Sequence, residues 1–383
     1  MKKVTKKKGI LEFFGIKEPF FKTTELKGKD IRRFVDRKED LLDLKINLEF
    51  ERNYAVIGDT GTGKSSLLLK FQQEIKDDYY TDYIYFSMDA KTDKEMKEEL
   101  FRTILTRLLL MIISNDGLMK HFDPKEIYVD TNRLNFSISL EEYEKKHKEI
   151  TPEIEASFPK LFVASILPIN LKAKLQGKIG KETQKLERKT HERHTEVTLR
   201  ETINKLMQKL PAPVVLFIDE MDRIIKAIRP NIDWIPEVIK LLQFTTEIMT
   251  NDNLIFIFAL QPEIYEIFAK ADRGEGDDSI LRYVPAFKKI SGFDIDFARE
   301  AVNESLKFAG YKGTAEDLFE DGVLETVLSA VKSNPRQFML SLGNLTILAY
   351  KKNQHQVTKD ILKEFLFKKF GETGPEEWRK SLK

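Results

Sequence analysis

Hydrophobic positions along the chain form short apolar runs that alternate with longer segments of helical spacing. Residues 54–57, 214–218 and 254–260 are near-continuous apolar runs, and residues 83–86 form a further short one. Runs of this kind are typical of strands buried on both faces of a sheet. The intervening segments predict helices over residues 36–49, 65–75, 94–113 and 234–249. The alternation predicts an α/β fold whose parallel sheet is sandwiched by helices.

The last part of the chain carries helical periodicity alone. From Asp296 onward, apolar residues recur with helical spacing over residues 297–309, 318–331, 335–352 and 358–370. We therefore expect a small all-α domain after the sheet. The predicted organisation is a tail over residues 1–24, an α/β core over 25–295, a helical domain over 296–372 and a tail over 373–383.

The separation between two predicted strands is long. One strand ends at Phe86 and the next begins at Val214, whereas a crossover between parallel strands needs only about a dozen residues. This predicts an insertion over about residues 114–208. Near-alternating apolar positions within residues 161–179 predict one or two strands, and the charged residues 183–210 predict a helix.

The tail over residues 1–24 is rich in lysine and contains Phe13, Phe14, Phe20 and Phe21. One interpretation is a solvated arm whose aromatic side chains dock on the body of the protein. The other is a basic contact with nucleic acid or a protein partner, since single-stranded nucleic acids bind to aromatic and basic side chains together.

Composition narrows the classes of protein. The 383 residues include 64 Lys and Arg against 62 Asp and Glu, so the net charge of +2 favours neither a nucleic-acid binder nor an acidic surface protein. The absence of cysteine excludes disulfides, zinc ribbons and thiolate catalysis. No apolar run reaches the length of about 18 residues that a membrane helix needs. We expect a cytoplasmic protein without a membrane partner.

A phosphate-binding sequence follows the first predicted strand. Residues 58–65, Gly-Asp-Thr-Gly-Thr-Gly-Lys-Ser, match G-x-x-x-x-G-K-[ST] and lie between a strand and a helix. Such a loop directs backbone N–H groups at a nucleotide phosphate. We expect Lys64 to contact the β- and γ-phosphates and Ser65 to ligate Mg²⁺. The predicted nucleotide-binding residues of this loop are Gly58, Asp59, Thr60, Gly61, Thr62, Gly63, Lys64, Ser65 and Ser66.

Two carboxylates come directly after the apolar run 214–218. Asp219 and Glu220 follow it directly, and ligands of open α/β sheets bind at the carboxyl ends of the strands. Hydrolysis of a nucleoside triphosphate needs one group for the metal ion and one for water. We therefore assign Asp219 to Mg²⁺ and Glu220 to activation of the attacking water.

With these motifs in place, the sequence resembles AAA+ ATPases of the Orc1/Cdc6-like group over roughly residues 30–370. Residues 33–41, Arg-Phe-Val-Asp-Arg-Lys-Glu-Asp-Leu, are similar to the F-V-x-R-E-x-E-L segment of that group. The resemblance implies that Phe34 and Val35 contact adenine. Residues 334–336, Asn-Pro-Arg, resemble the lid segment that carries the sensor 2 arginine, which implies that role for Arg336.

The resemblance implies two further catalytic residues. Gln261, after the run 254–260, takes the sensor 1 position, where the group usually has Asn, Ser or Thr. Arg282 takes the position of the arginine finger, with Arg273 as a competing candidate. The group carries a winged-helix DNA-binding domain after the lid, for which few residues remain here. We therefore do not expect origin binding by that route.

The leading hypothesis is an AAA+-type ATPase that binds and hydrolyses ATP with Mg²⁺. Lid closure would be coupled to homo-oligomerisation, or to remodelling of a DNA or protein partner held by the insertion or the N-terminal tail. A second hypothesis is a STAND-type signalling or defence switch with slow hydrolysis. A third is a DNA-associated loader for replication, repair or mobile elements.

Overall fold

A computed structural model describes residues 9–19, 21, 26, 28–34, 37–85, 92–123, 127, 196–221, 233–248, 253–276 and 280–370. The strands predicted within residues 161–179 lie outside these ranges. So do Val35, much of the predicted insertion and the predicted C-terminal tail.

A five-stranded sheet forms the centre of the first part of the chain. Its strands are β1 (Tyr54–Ile57), β2 (Tyr80–Tyr85), β3 (Val214–Asp219), β4 (Leu254–Leu260) and β5 (Ala286–Lys289). They are all parallel and lie in the order β2-β3-β4-β1-β5. The parallel sheet is confirmed, and β5 was not predicted. Strand β5 is partly exposed and ends in two lysines, so it lacks the apolar run that marks a buried strand.

The helices that the structure describes lie mostly close to the predicted segments. They are α1 (Ile10–Phe14), α2 (Lys38–Glu49), α3 (Lys64–Ile75), α4 (Asp93–Ser114), α5 (Asp116–Met119), α6 (Glu196–Gln208), α7 (Trp234–Thr246), α8 (Pro262–Asp272), α9 (Ile280–Tyr283), α10 (Ile295–Phe308), α11 (Ala315–Leu318), α12 (Val323–Ala330), α13 (Pro335–Lys351) and α14 (Lys359–Phe370). A 3₁₀ helix covers Gly28–Arg33.

The helix predicted over residues 318–331 begins too early. Only α12 forms within it, because Leu318 ends α11 and Phe319 makes an isolated bridge with Val357. The chain leaves the helical conformation at Phe319, which is extended with φ −121° and ψ 127°. Gly322, with φ 83°, then precedes α12, and glycine adopts this left-handed conformation at little cost.

Apolar side chains cover both faces of the sheet. On β3, Leu216 and Ile218 face a cluster that includes residues of α4, α6 and α7. The alternate residues, Val215 and Phe217, face a second cluster with residues of α2 and α3. The strand is therefore buried throughout, which explains why its sequence shows no polar alternation.

The helices from α10 onward share a third apolar cluster, which the N-terminal helix joins. Phe14 is buried in this cluster. Phe13 stacks on His355 with 4.0 Å between ring centroids and meets Tyr350 edge to face. The described part of the predicted tail therefore lies against the helical region. Among the described residues, no helix is long and apolar enough to cross a membrane.

Candidate active site

The loop after β1 is held at the carboxyl edge of the sheet. The Gly58 N–H donates to the Leu260 carbonyl of β4 at 3.2 Å. Gly61 and Gly63 have φ values of 90° and 96°, and Gly63 caps the amino end of α3. Only glycine adopts this conformation readily. The loop thus turns directly into a helix amino terminus, whose N–H groups and dipole favour an anion.

Lys64 lies over its own loop. Its Nζ donates to the Gly58 carbonyl at 2.6 Å and to the Asp59 carbonyl at 3.1 Å. The Thr62 hydroxyl donates to the same Asp59 carbonyl at 2.8 Å. The ammonium group is therefore already located at the loop, where a phosphate oxygen competes with these carbonyls for it.

The end of β3 places two carboxylates at the same edge. Asp219 is only 3% exposed, and its Oδ1 accepts from the Glu220 N–H at 2.8 Å. Glu220 is half-buried and has φ 61°, an uncommon value for a residue with a side chain. This turn carries the chain off the strand directly after Asp219. The two carboxylates therefore occupy successive positions with different surroundings.

Tyr83 of β2 contacts the acidic strand end. Its hydroxyl donates to Asp219 Oδ2 at 2.7 Å. Burial, together with the Asp219 charge, raises the pKa of Tyr83 well above its ordinary value. The phenol therefore stays protonated and available as a donor.

A cavity of about 600 Å³ joins these groups. Its polar end is formed by the loop and the acidic strand end, and its apolar end by side chains from the N-terminal segment and the helical region. The lining residues include Leu26, Arg33, Phe34, Arg37, Thr60, Gly61, Thr62, Gly63, Lys64, Ser65, Ser66, Asp219, Glu220, Gln261, Phe293, Phe297, Ala301, Arg336 and Met339. This arrangement fits a nucleotide whose base lies in the apolar end and whose phosphates lie in the polar end, beside Lys64.

The segment before α2 closes one side of the cavity. Arg37 donates to the Thr62 carbonyl at 3.0 Å and to the Ser291 carbonyl at 2.9 Å, and it pairs with Asp40 at 3.1 Å. The Leu26 N–H donates to the Ser66 hydroxyl at 3.0 Å. This segment therefore contacts the phosphate loop directly and, through Arg37, joins it to the chain leaving β5.

The helical region closes the other side. Asn334 caps α13 by accepting from the Gln337 N–H at 3.0 Å, and its amide donates to the Thr60 carbonyl at 2.8 Å. The Arg336 N–H donates to the Gly61 carbonyl at 3.2 Å. The amino end of α13 is thus bonded to the phosphate loop.

The structure brings most of the predicted site residues together. Phe34, Gln261 and Arg336 line the same cavity as the loop and the acidic strand end. Gly58 and Asp59 contribute the carbonyls that hold Lys64.

Arg282 lies elsewhere. Its neighbour Tyr283 accepts a hydrogen bond from Asn53, which directly precedes β1, so α9 lies at the amino edge of the sheet. Arg273 is exposed at the end of α8 and pairs with Glu275. Neither arginine lines the cavity of its own chain.

Several residues of the site were not predicted. Tyr83 lies in an ordinary-looking strand, and its role depends on the pairing of β2 with β3. Phe293 and Phe297 reach the cavity because the chain crosses from β5 into α10. No local motif marks these positions, so only the three-dimensional arrangement identifies them.

Comparison with protein families decides the identity of the α/β part. The model of the KAP family P-loop domain matches residues 55–279. The chain belongs to the KAP family of P-loop NTPases. The match includes the phosphate loop, both carboxylates and four of the five strands. Nucleotide binding is thus a property of the family. The narrower prediction of an Orc1/Cdc6-like protein is not confirmed.

No curated protein matches the sequence. Among solved structures, the chain is similar to the ORC2 protein of Aeropyrum pernix, with a TM-score of 0.42, 11% identity and coverage of 92% of this chain and 70% of that one. The chain is also similar to the ORC1 protein of Aeropyrum pernix in complex with DNA, with a TM-score of 0.45 and 10% identity. The match covers 92% of this chain and 71% of that one. For the Holliday junction branch migration motor RuvB of Thermotoga maritima, the TM-score is 0.37 and the identity is 9%. The match covers 90% of this chain and 70% of that one. Likeness at this level says nothing about function.

The donors at the cavity fit a magnesium ion. Ser65 and Asp219 both line the cavity, and Asp219 accepts a hydrogen bond from the Tyr83 hydroxyl. Hydroxyl and carboxylate oxygens are ligands that Mg²⁺ prefers, together with phosphate oxygens and water. This KAP NTPase therefore has suitable oxygen donors for Mg²⁺ beside its phosphate loop.

Proposed function

We propose that the chain binds ATP with Mg²⁺ between its sheet and its helical region, and hydrolyses it. The observation that carries the proposal is a single cavity that contains Lys64, Ser65, Asp219 and Glu220. These side chains supply a cation for the phosphates, two metal ligands and a base for water. Phosphoryl transfer depends on such positioning and charge stabilisation.

Each residue has a defined task in this proposal. Lys64 exchanges its loop carbonyls for the β- and γ-phosphates, and the N–H groups at the start of α3 bind the same phosphates. Ser65 and Asp219 hold the Mg²⁺, which neutralises charge on the phosphate oxygens when bound. Glu220 orients the attacking water and accepts its proton. Gln261, just beyond β4, lines the same cavity and is assigned as a second water-orienting group.

The base of the nucleotide occupies the apolar end of the cavity. Phe34 from the N-terminal segment and Phe293, Phe297 and Met339 from the helical side provide contacts to an aromatic base. We assign Phe34 and the adjoining Val35 to adenine.

The helical region acts as a lid in this proposal, with the α/β core over residues 25–295 and the lid over 296–372. Arg336 lies at the start of α13 and lines the cavity, so it reports the γ-phosphate to the lid. Lid closure is then coupled to homo-oligomerisation or to remodelling of a DNA or protein partner. A two-state lid of this kind transmits the state of the nucleotide to a partner.

Two substitutions test the proposal separately for binding and chemistry. Lys64→Ala is expected to weaken ATP binding about tenfold or more, since it removes a charge-assisted contact to phosphate. Glu220→Gln is expected to bind ATP normally and to lower turnover about 10²–10⁴-fold, the usual contribution of a general base.

The measurements are equilibrium titration with a fluorescent ATP analogue and phosphate release. Each is made on the wild-type chain and both variants, with and without DNA. A wild-type chain that neither binds nor hydrolyses ATP would refute the proposal. Full turnover in Glu220→Gln would remove Glu220 from the chemistry.

A further inference from the structure

The Tyr83 hydroxyl contacts the carboxylate to which we assign Mg²⁺. In the sheet, Tyr83 pairs with Phe217 and Tyr85 pairs with Asp219, so the Tyr83 phenol extends along β3 to the carboxylate two residues on. Its ring stacks on Phe217 with 6.0 Å between centroids and 9° between planes. Tyr83 is only 6% exposed. Packing on both strands therefore fixes the position of its oxygen.

The orientation of the Asp219 carboxylate is set from both sides. Oδ2 accepts from the Tyr83 hydroxyl at 2.7 Å, and Oδ1 accepts from the Glu220 N–H at 2.8 Å. Each oxygen keeps a further lone pair for another contact. The two donors therefore fix the carboxylate plane without using up its capacity to accept.

We propose that Tyr83 is a positioning residue for the divalent cation: its hydroxyl donates to Asp219 and holds that carboxylate in the orientation that faces the metal. This inference rests on the proposed function, since it assumes a nucleotide–metal complex at this site. Outer partners of this kind orient metal ligands, and their loss typically weakens metal binding about 10–100-fold.

Tyr83→Phe removes only the hydroxyl and keeps the stacked ring. The expected result is unchanged binding of a fluorescent ADP in EDTA, together with about 10–100-fold weaker binding of Mn²⁺ to the ADP complex. Electron paramagnetic resonance of Mn²⁺ measures metal binding directly, without reference to turnover.

Tyr80→Phe is the matched control. Tyr80 begins the same strand, is partly buried against the opposite face of the sheet and does not line the cavity. This variant also loses one phenol hydroxyl but is expected to bind Mn²⁺ as the wild type does.

A double-mutant cycle with Asp219→Ala tests the hydrogen bond between the two residues. If Tyr83 acts through Asp219, the combined variant loses less Mn²⁺ affinity than the product of the two single losses. A tyrosine that only packs against the sheet gives independent losses, which multiply.

The outcomes separate this inference from the proposed function. Wild-type chain that fails to bind ADP refutes both. Wild-type chain that binds ADP and Mn²⁺, with Tyr83→Phe equal to it in metal affinity, overturns the inference alone. An equal loss of ADP binding in EDTA also overturns it, because the tyrosine would then support the whole site rather than the metal.

Discussion

At the residue scale, Gly61 meets two constraints at once. Its φ of 90° is unfavourable for any side chain, and a Cβ there would approach Asn334 Oδ1 to 2.8 Å and Arg336 Cβ to 2.9 Å. The first constraint belongs to the loop alone and the second to its contact with α13. A substitution at Gly61 therefore strains the loop and separates it from the helical region.

Gly61→Ala is expected to weaken nucleotide binding about tenfold or more, because the loop must shift to relieve contacts that are too short for real carbon atoms. Titration with a fluorescent nucleotide measures the loss, and thermal unfolding shows that the fold persists.

Gly274→Ala provides the control, since Gly274 has φ 71° but no atom within 4 Å of its added Cβ. It is expected to lose about 1 kcal/mol of stability from backbone strain and to retain nucleotide affinity. Equal affinities in the two variants would show that the contact with α13 does not constrain the loop.

Residue roles differed in how far the sequence predicted them. Lys64 and Ser65 belong to a local motif whose spacing alone determines the loop, so their placement in the cavity was predicted. The role of Tyr83 depends on the three-dimensional fold, because its contact with Asp219 exists only when β2 pairs with β3 in the observed register. A single sequence contains no signal for that register.

At the element scale, Asn334 both begins α13 and holds it to the phosphate loop. Oδ1 caps the helix, whereas the amide Nδ2 donates to Thr60. Aspartate caps a helix as well as asparagine does, but it has no amide donor. Asn334→Asp therefore separates the two tasks within one side chain.

Asn334→Asp is expected to keep the melting temperature close to that of the wild type and to weaken nucleotide binding about 2–10-fold, the worth of one hydrogen bond. Asn334→Ala is expected to lose about 1 kcal/mol of stability as well, because the cap is lost. Calorimetry and nucleotide titration measure the two effects.

Asp294→Asn is the control for the cap exchange. Asp294 caps α10 by accepting from the Phe297 N–H at 2.8 Å. Replacing this carboxylate by an amide is expected to change neither the melting temperature nor the nucleotide affinity. If Asn334→Asp also leaves nucleotide affinity unchanged, the bond from α13 to Thr60 has no part in binding.

The helix and strand boundaries show which parts of the fold are determined by local sequence. Helix α3 and strand β4 were predicted to within one residue, because the loop motif fixes one and an uninterrupted apolar run fixes the other. Strand β5 was missed because its partly exposed residues carry two lysines, and its pairing with β1 is long-range. The break between α11 and α12 contains an extended Phe319, which bridges the distant Val357, and a left-handed Gly322.

At the scale of the whole molecule, Arg282 lies on the wrong edge of the sheet to act on its own nucleotide. Helix α9 lies at the amino edge, through Asn53 and Tyr283, whereas the phosphate loop leaves the carboxyl end of β1. If Arg282 contacts a phosphate, that phosphate belongs to a second copy of the chain. The arginine finger hypothesis therefore requires an assembly.

Complementation between two inactive variants tests this hypothesis. Arg282→Ala is expected to bind ATP normally but to lose turnover about 10³–10⁵-fold, as when a trans arginine is removed. Glu220→Gln is inactive for a different reason. In a mixed assembly, the intact Glu220 of one copy meets the intact Arg282 of the other, so the mixture is expected to regain part of the wild-type rate.

Arg273→Ala, at an exposed ion pair, is the control and is expected to remain active. Recovery must depend on assembly, which size-exclusion chromatography with ATP measures. A mixture that assembles yet stays inactive would contradict a trans role for Arg282.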